Sequence, residues 1–406
     1  MKNKYVYTFL VFVVNFAIAQ DLEILPFKKC LDLCSSETNI YFKEIQNFVK
    51  SSNSDYENAG IRPNPVFNTQ ILFLTDTKYK PIKDKLMYVS EYNRQDWFQI
   101  TKKTNPFGQR KNGILTAQRN YEHDISQSEI DLMELKYKAA NLWIDLWLNQ
   151  NNLILSQKAV KSLDSLINGS KLNPESDEYL RYIILDDQYD LNLINIEEEN
   201  YVLTQTISRM LNLNSTVKVD SSSFFAFYNE KLKDTAVISN PKLKEIESQL
   251  IYDHQNYQFQ KKMMVSGPEM GVIANPQNRI PYLGIFFTQT IPVFDKNQKN
   301  ISQAKIQMEV SNLRKQTWQQ EQLLAMDIQK QKLKMGYLKM KKMQLAASNA
   351  DKLLQNARMS FTNGKNQALD IWEAEATWFE THSNLNISIH NYMKAKLDTL
   401  YLFGIL

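Results

Sequence analysis

The sequence predicts a mainly α-helical protein that also supplies strands to a membrane β-barrel, built as a duplicated half-molecule with long helical hairpins. Two observations support this prediction. The 406 residues include only 10 Gly and 11 Pro, and these gather in a few blocks between very long uninterrupted stretches. The same order of stretches and blocks occurs in both halves of the chain. Because Gly and Pro are strong breakers of secondary structure, the stretches predict helices and the blocks predict turns and strands.

The first residues have the pattern of a secretory signal. Lys2 and Lys4 precede an apolar run, Tyr5–Ala19, which ends in the small-residue pattern Ala17-Ile18-Ala19. A short apolar run with basic residues before it and such a pattern after it is typical of a cleaved signal peptide. We therefore predict a signal peptide over residues 1–19.

The remaining residues, 20–406, are predicted to form one protomer with an internal repeat. Each half contains a medium helix, a block rich in Gly and Pro, a very long helix, a tight turn and a further helix. We place the repeats at about 20–212 and about 241–406, with a linker over about 213–240. The repeated unit is far longer than a solenoid repeat, so the pattern indicates a duplicated half-molecule.

Two long stretches, the first without Gly or Pro and the second with the single Gly336, predict unusually long helices. At 1.5 Å per residue, Ile114–Asn168 would form roughly 80 Å of helix and Ile301–Asn363 roughly 95 Å. Shorter helices over Glu175–Leu211 and Lys365–Phe403 would return alongside them. A narrow apolar seam follows the second long helix and consists of Leu324, Ile328, Met335, Leu338 and Leu345.

The two main breaker blocks predict β-hairpins. We expect strands at about 64–74, 94–104, 268–275 and 282–292. In the first strand, Phe67, Thr69, Ile71 and Phe73 alternate with Asn68 and Gln70. Strands of about ten residues are long enough to cross a bilayer at a tilt. Aromatic residues near the strand ends, as membrane interfaces favour, are Trp97, Phe107 and Tyr282.

Four strands cannot close a barrel, and open sheet edges are not tolerated in lipid. Several copies would therefore share one barrel, and three copies would supply twelve strands, an even number as in bacterial barrels. The alternative is a water-soluble β-hairpin that caps a helical rod.

Other residues indicate neither catalysis nor a cofactor. The net charge of +4 is well mixed along the chain, which argues against nucleic-acid binding. Cys30 and Cys34, four apart on a predicted helix, suit packing better than a disulfide. Trp143 and Trp147 are also expected to be packing residues. The four His have no metal-ligand spacing, and no nucleophile–base pair stands out, so we predict that the protein is not an enzyme.

Five segments in register across the duplication resemble the TolC-like family of outer-membrane efflux channels, which includes the cation-efflux branch of CusC and CzcC. They cover the strand beginnings, the strand-to-helix junctions, the second hairpin turn and the close of the repeat. The segments are Ala59–Asn68, Asn105–Gln118, Ile291–Lys305, Phe361–Thr381 and Ala395–Gly404.

This resemblance implies a homotrimer with one twelve-stranded barrel in the bacterial outer membrane and a helical tunnel in the periplasm. It implies a passive exit duct for small molecules or cations, without catalysis or a cofactor. The partners would be outer-membrane lipid, a periplasmic adaptor protein and an inner-membrane efflux pump, which would supply the energy. The exported substrate does not follow from the sequence.

The resemblance also implies a channel constriction beyond the second turn. Asp370 and Glu373 match two acidic positions that the family directs into the lumen, and rings of carboxylates favour cations. Phe361 stands where the family often has Tyr, and Asn366 where it has a basic residue, so the closed state would be held differently. In the alternative reading, Asp370 complements the helix N-terminus and Glu373 is solvated. The expected hairpin tips and adaptor contacts are Asn168, Gly169, Ser170, Asn363, Gly364 and Lys365.

A second function class is a periplasmic adaptor or a structural coiled-coil protein without a channel. An adaptor normally has one helical hairpin flanked by small Gly-rich β domains. Two predicted hairpins and few Gly residues favour the duct over this alternative.

Overall fold

The computed structural model describes residues 23–73, 94–105, 108–169, 177–214, 216–233, 240–276, 282–362 and 368–406, and the predicted signal peptide lies outside them. The described chain is mainly helical. Its helices are α1 (Phe27–Cys34), α2 (Ile40–Asn58), α3 (Gln109–Gly169), α4 (Asp177–Leu211), α5 (Ser221–Lys233), α6 (Pro241–Lys262), α7 (Gln298–Thr362) and α8 (Ala368–Phe403). Its strands are β1 (Glu23–Ile24), β2 (Val66–Phe73), β3 (Arg94–Lys103), β4 (Val217–Lys218), β5 (Glu269–Asn275) and β6 (Tyr282–Thr288).

Strands β2, β3, β5 and β6 form one antiparallel sheet in that order. Each half of the chain contributes one neighbouring pair, and the two halves meet where β3 pairs with β5. All four strands lie within the segments expected from the sequence, although β6 ends at Thr288 rather than at 292. A separate parallel pair joins β1 to β4.

The chain divides into two compact units. The first comprises residues up to 47, 128–242 and 318–406, and the second comprises 48–127 and 243–317. The four-stranded sheet belongs to the second unit. Helices α3 and α7 contribute residues to both units.

The core of the first unit surrounds Trp143 of α3, whose side chain is fully buried. The indole Nε1 donates a hydrogen bond of 2.9 Å to the carbonyl of Leu25. Phe27 packs edge-on against Trp143 and Phe224, with ring centroids 5.2 and 4.9 Å away. Trp147 is also buried in this core. The tryptophans of α3 are therefore packing residues, as the sequence indicates.

Cys30 and Cys34 of α1 are free, buried thiols of the same core. Burial raises the pKa of Cys34 to about 12, despite the opposing charge of Lys136. A thiol with so high a pKa stays protonated and unreactive near neutral pH. Both residues act as small apolar groups, in agreement with the expectation.

Two features of the first unit differ from the sequence prediction. The segment treated as a linker contains β4 and α5, because Phe224 and Phe227 give α5 a face that is buried in the core. The first medium helix is also divided into α1 and α2. Asn39 causes this break without any Gly or Pro, since its Oδ1 accepts hydrogen bonds from the backbone N–H groups of Tyr41 and Phe42 and caps α2.

The two halves of the chain have matching backbone conformations at the ends of helices. The described residues with positive φ are Gly108, Asn212, Asn297 and Gly404. Gly108 directly precedes α3 as Asn297 precedes α7, and Asn212 follows α4 as Gly404 follows α8. A left-handed residue after a helix lets the next N–H groups satisfy the last carbonyls. Leu213 N–H accordingly bonds to Ser208 O at 2.8 Å, and Ile405 N–H to Leu400 O at 2.9 Å.

Helices α3 and α7 have 61 and 65 residues and start a few residues earlier than the sequence suggests. The described residues of this chain do not cover the apolar seam predicted along α7. Its members Leu324, Ile328, Met335, Leu338 and Leu345 are 62, 48, 51, 43 and 63% exposed. An apolar stripe of this length is therefore left free for another partner.

In the second unit, a polar network around His123 joins four helices. The imidazole Nδ1 lies 3.3 Å from Asp124 Oδ1, and its Nε2 lies 3.5 Å from Oε1 of Glu245, a buried residue of α6. Arg314 of α7 approaches the same Glu245 oxygen at 3.5 Å. Ser52 of α2 donates a hydrogen bond of 2.5 Å to Asp124.

Burial disfavours the charged imidazolium of His123, but the hydrogen bonds and charges of Glu245 and Asp124 outweigh this effect and raise its pKa. A His whose pKa is raised by folding stabilises the folded state below its unfolded-state pKa, about 6.5. That contribution is lost as the pH rises through the folded-state pKa.

We predict that His123→Gln lowers the unfolding temperature more at about pH 5.5 than at about pH 8.5, because only the protonated imidazole stabilises the network. Thermal unfolding followed by circular dichroism at both pH values measures the effect. His254→Gln, at an exposed position of α6, is the matched control and should leave the pH dependence unchanged. Equal losses at both pH values for His123→Gln would show that the charge of His123 does not stabilise the fold.

Candidate membrane sheet and hairpin-end site

One face of the four-stranded sheet is apolar and exposed on all four strands. The register places Phe67 opposite Ile100, Ile100 opposite Val272 and Val272 opposite Ile285. These four side chains are 63, 54, 46 and 89% exposed. The remaining members of this apolar face are Ile71, Phe98, Met270, Leu283 and Phe287, and each is at least 39% exposed. A contiguous exposed apolar surface marks a membrane or partner contact.

The opposite face of the same sheet carries many polar side chains, together with the apolar Val66, Leu72, Trp97, Ile273 and Phe286. Because side chains alternate along a strand, the residues next to those of the apolar face point to the other side. They include Asn68, Gln70, Gln99, Thr101, Lys103, Glu269 and Thr288. An apolar face and a polar face on one sheet fit lipid on one side and water on the other.

The sheet has two open edges within the described chain. Strands β2 and β6 each pair on one side only, so their outer backbone N–H and C=O groups face no strand of this chain. Such edges are templates for pairing with another chain. In lipid, these groups would need partners, because no water is present there to satisfy them.

The predicted acids of the hairpin end, Asp370 and Glu373, lie in the first two turns of α8. Both side chains are exposed and stand three residues apart, so they share one side of the helix. A carboxylate in the first turn also complements the positive end of the helix dipole. The structure thus brings these two acids together on a solvent-facing surface.

Phe361, the third residue predicted for the constriction, lies in the last turn of α7. Its half-buried ring packs against two apolar clusters, one around Leu163 and Tyr189 and one around Leu354 and Ile371. Its role within the single chain is to join the two hairpins by packing. The ring is half-buried, whereas the side chains of Asp370 and Glu373 are exposed.

The predicted tips lie at or beyond the edges of the described residues. Asn168 and Gly169 are the last residues of α3. The other residues predicted for the tips, together with Asn366, lie outside the described residues: Ser170, Asn363, Gly364 and Lys365.

A buried carboxylate near this end was not anticipated from the sequence. Glu375 of α8 is 1% exposed and accepts hydrogen bonds from Arg358 of α7 and from Ser162 Oγ of α3, the latter at 2.5 Å. Arg358 also donates to Ser162 at 2.6 Å. This node ties three helices together. The spacing could have indicated that Glu375 is buried, since it lies one helical turn after Ile371 on the inward side of α8. The spacing does not reveal that Arg358 and Ser162 bind its carboxylate.

The first hairpin carries a further group of acids on its two helices. Burial raises the pKa of Asp186, and the nearby carboxylates of Asp164, Asp190 and Asp187 raise it further. Clustered carboxylates repel one another and favour partial protonation or bound cations. These acids belong to the first half of the chain, whereas Asp370 and Glu373 belong to the second.

Within the described residues, no helix combines the length and apolar character needed to cross a membrane. The same residues contain no group of three or more His, Cys, Asp or Glu side chains that could hold a metal ion.

Comparison with protein-family models gives no match, and comparison with curated proteins gives none either. Comparison with solved structures, in contrast, finds similarity over nearly the whole chain. CusC, solved in a study of folding and transmembrane channel formation, is 13% identical, with a TM-score of 0.72 over 96% of each chain.

Two further structures have the same fold. The outer-membrane protein VceC of Vibrio cholerae is 10% identical, with a TM-score of 0.70 over 93% of this chain and 96% of VceC. The outer-membrane channel CmeC of Campylobacter jejuni is 10% identical, with a TM-score of 0.72 over 93% of this chain and 85% of CmeC. At such low identity the similarity concerns the fold. The chain has the fold of the TolC-like outer-membrane channels.

Proposed function

We propose that three copies of this chain form a passive exit duct in the bacterial outer membrane. In this proposal the sheets of the three copies close one twelve-stranded barrel, and the helices form a tunnel in the periplasm. The duct would receive small molecules or cations from an inner-membrane pump through a periplasmic adaptor. No chemical step is required of the protein, since the pump drives transport.

The exposed apolar face between two open edges is the observation that carries this proposal. Ile100, Val272 and Ile285 form a row of side chains that suits lipid, while Gln99 and Thr101 on the other face suit an aqueous lumen. The open edges of β2 and β6 require strands from other copies. These features and the channel fold favour the duct over the adaptor alternative.

The exposed seam of α7 supports association of the helices as well. Leu324, Leu338 and Leu345 are large apolar side chains that no described part of this chain covers. On α4, the exposed apolar residues Leu191, Ile194 and Val202 form a second uncovered stripe. Burying a fully exposed side chain of this size contributes about 1.5–3 kcal/mol. Packing of these stripes between copies would account for the exposed apolar residues of both α7 and α4.

For the hairpin end, we propose that Asp370 and Glu373 of three copies form a ring of up to six carboxylates. Their exposure on one side of α8 fits this role. A carboxylate ring attracts cations and excludes anions. Repulsion within the ring would favour binding of divalent cations.

The assembly itself is testable. We predict that the full-length chain, expressed in a Gram-negative host, fractionates with the outer membrane, runs as a trimer in detergent by light scattering and conducts ions in planar bilayers. A vesicle preparation from cells without the protein is the control for conductance. A water-soluble monomer without conductance would exclude the duct.

The orientation of the sheet is tested by a pair of neighbouring substitutions on β3. We predict that Ile100→Arg reduces the amount of trimer in the outer membrane, because Arg facing lipid costs about 2–4 kcal/mol per copy near the bilayer midplane. Gln99→Arg, on the polar face, should leave assembly intact. Quantitative blotting of outer-membrane fractions compares the two, and equal loss in both variants would argue against lipid on the Ile100 face.

The acid ring is tested by single-channel recording. We predict that Asp370→Asn combined with Glu373→Gln lowers the preference for cations and weakens block by divalent cations, because the variant removes the carboxylates. Glu197→Gln with Glu198→Gln, exposed acids of α4, is a charge-matched control. Unchanged ion selectivity in the Asp370/Glu373 variant would show that these acids do not line the constriction.

A further inference from the structure

The segment that follows β6 exposes three apolar side chains in succession. Ile291, Val293 and Phe294 are 77, 64 and 95% exposed, and Phe294 is the most exposed large apolar residue of the described chain. The apolar face cannot account for them, because β6 ends at Thr288 and Pro292 interrupts regular pairing. We call Ile291–Phe294 the rim segment.

The rim segment is fixed at both ends by hydrogen bonds. Before it, Gln289 Nε2 donates to the carbonyl of Ser266 at 2.8 Å. After it, the Asn297 side chain donates to the carbonyl of Gln260 at 2.9 Å, and Asp295 Oδ1 accepts from Asn297 N–H at 2.8 Å. Its apolar side chains are therefore presented by an anchored backbone. An anchored, exposed aromatic side chain is typical of a contact with another molecule.

A second uncovered segment lies just before β2, at the other open edge. Ile61 and Val66 are 67 and 54% exposed, and all residues between them are exposed too. The backbone here is also anchored, because the Arg110 guanidinium donates to the carbonyl of Gly60 at 2.7 Å. Both edges of the sheet thus end in an ordered segment with apolar side chains.

Strand direction determines where these two segments would meet. Neighbours in the sheet are antiparallel throughout, so β2 and β6, first and last of four strands, run in opposite directions. If β6 of one copy pairs with β2 of the next, that pairing is antiparallel as well. The end of β6 and the start of the neighbouring β2 then lie at the same rim, about 4.8 Å apart.

We propose that the rim segment is an inter-subunit contact, in which Phe294 of one copy packs against Ile61 of the neighbouring copy where β6 and β2 leave the barrel. The occupant of this surface is a second copy of the chain. The contact rests on the proposed trimer and specifies how its sheets are joined. The contact places an apolar pair, Phe294 and Ile61, beside each junction of β6 with the neighbouring β2. This pair would set the register in which the two strands are hydrogen-bonded.

Cysteine cross-linking tests the contact directly. The combination Ile61→Cys with Phe294→Cys should give covalent trimers on denaturing, non-reducing gels, and a reductant should return them to monomers. Each single variant should remain monomeric on such gels. Phe48→Cys with Phe294→Cys is the matched control, since Phe48 is exposed on α2 about 15 Å of helix before the end of that helix. The native Cys30 and Cys34 are buried and should not react.

A packing variant gives an independent measurement. Phe294→Ala should lower the temperature at which the trimer dissociates in detergent by at least about 5 °C, and Phe294→Leu should restore most of the loss. Ile285→Ala, on the apolar face, should change this temperature less.

Failure of this inference is distinct from failure of the duct. A conducting wild-type trimer without the Ile61–Phe294 cross-link would overturn the contact and leave the duct standing. If Phe294 instead anchors the protein at the membrane surface, Phe294→Asp would reduce membrane insertion while trimers already formed keep their dissociation temperature. A wild-type chain that never forms trimers would overturn both proposals.

Discussion

The structure depends on a requirement of the peptide backbone: hydrogen-bonding groups removed from water need partners. The sheet β2-β3-β5-β6 satisfies this requirement internally on six of its strand sides and leaves it open on two, the outer sides of β2 and β6. If the apolar face of the same sheet lies in lipid, the open sides need strands from other copies. In the proposed trimer, strands of the neighbouring copies would pair with the open sides of β2 and β6.

The two halves of the chain contribute equivalent elements to the sheet. Each half supplies two strands and one very long helix, and left-handed residues occur at equivalent helix ends, Gly108 with Asn297 and Asn212 with Gly404. Two similar halves joined at β3 and β5 give a sheet whose two edges run in opposite directions. Copies can then be added edge to edge with every pairing antiparallel. The exposed apolar seam of α7 would likewise allow the helices of neighbouring copies to pack together.

Much of this architecture could be predicted because the ends of helices and strands depend on local residue types. Gly and Pro positions locate the strand blocks and the ends of α3 and α7, and alternation identifies the apolar face. What could not be predicted depends on tertiary partners. Asn39 caps α2 without any Gly or Pro, and α5 forms because Phe224 is buried in the core.

At the hairpin end, the same limit applies. The spacing of Asp370 and Glu373 placed both on one surface, but sequence gave no reason to separate Phe361 from them, since its burial depends on helices distant in the chain. Glu375 is two residues from Glu373 and has the opposite environment, because one side of α8 faces Arg358 and Ser162. Residue type alone cannot distinguish a structural carboxylate from an exposed one.

The buried core around Trp143 has a consequence for the timing of folding. Leu25 and Phe27 share that core with Leu400 and Ile405, so its first and last members are separated by almost the whole chain. The ribosome synthesises residue 25 long before residue 405. The core of the first unit can close only when the end of the chain has arrived, and such distant pairings form slowly. Until then, apolar helix faces and strand edges stay uncovered. Folding intermediates with such surfaces are prone to aggregation.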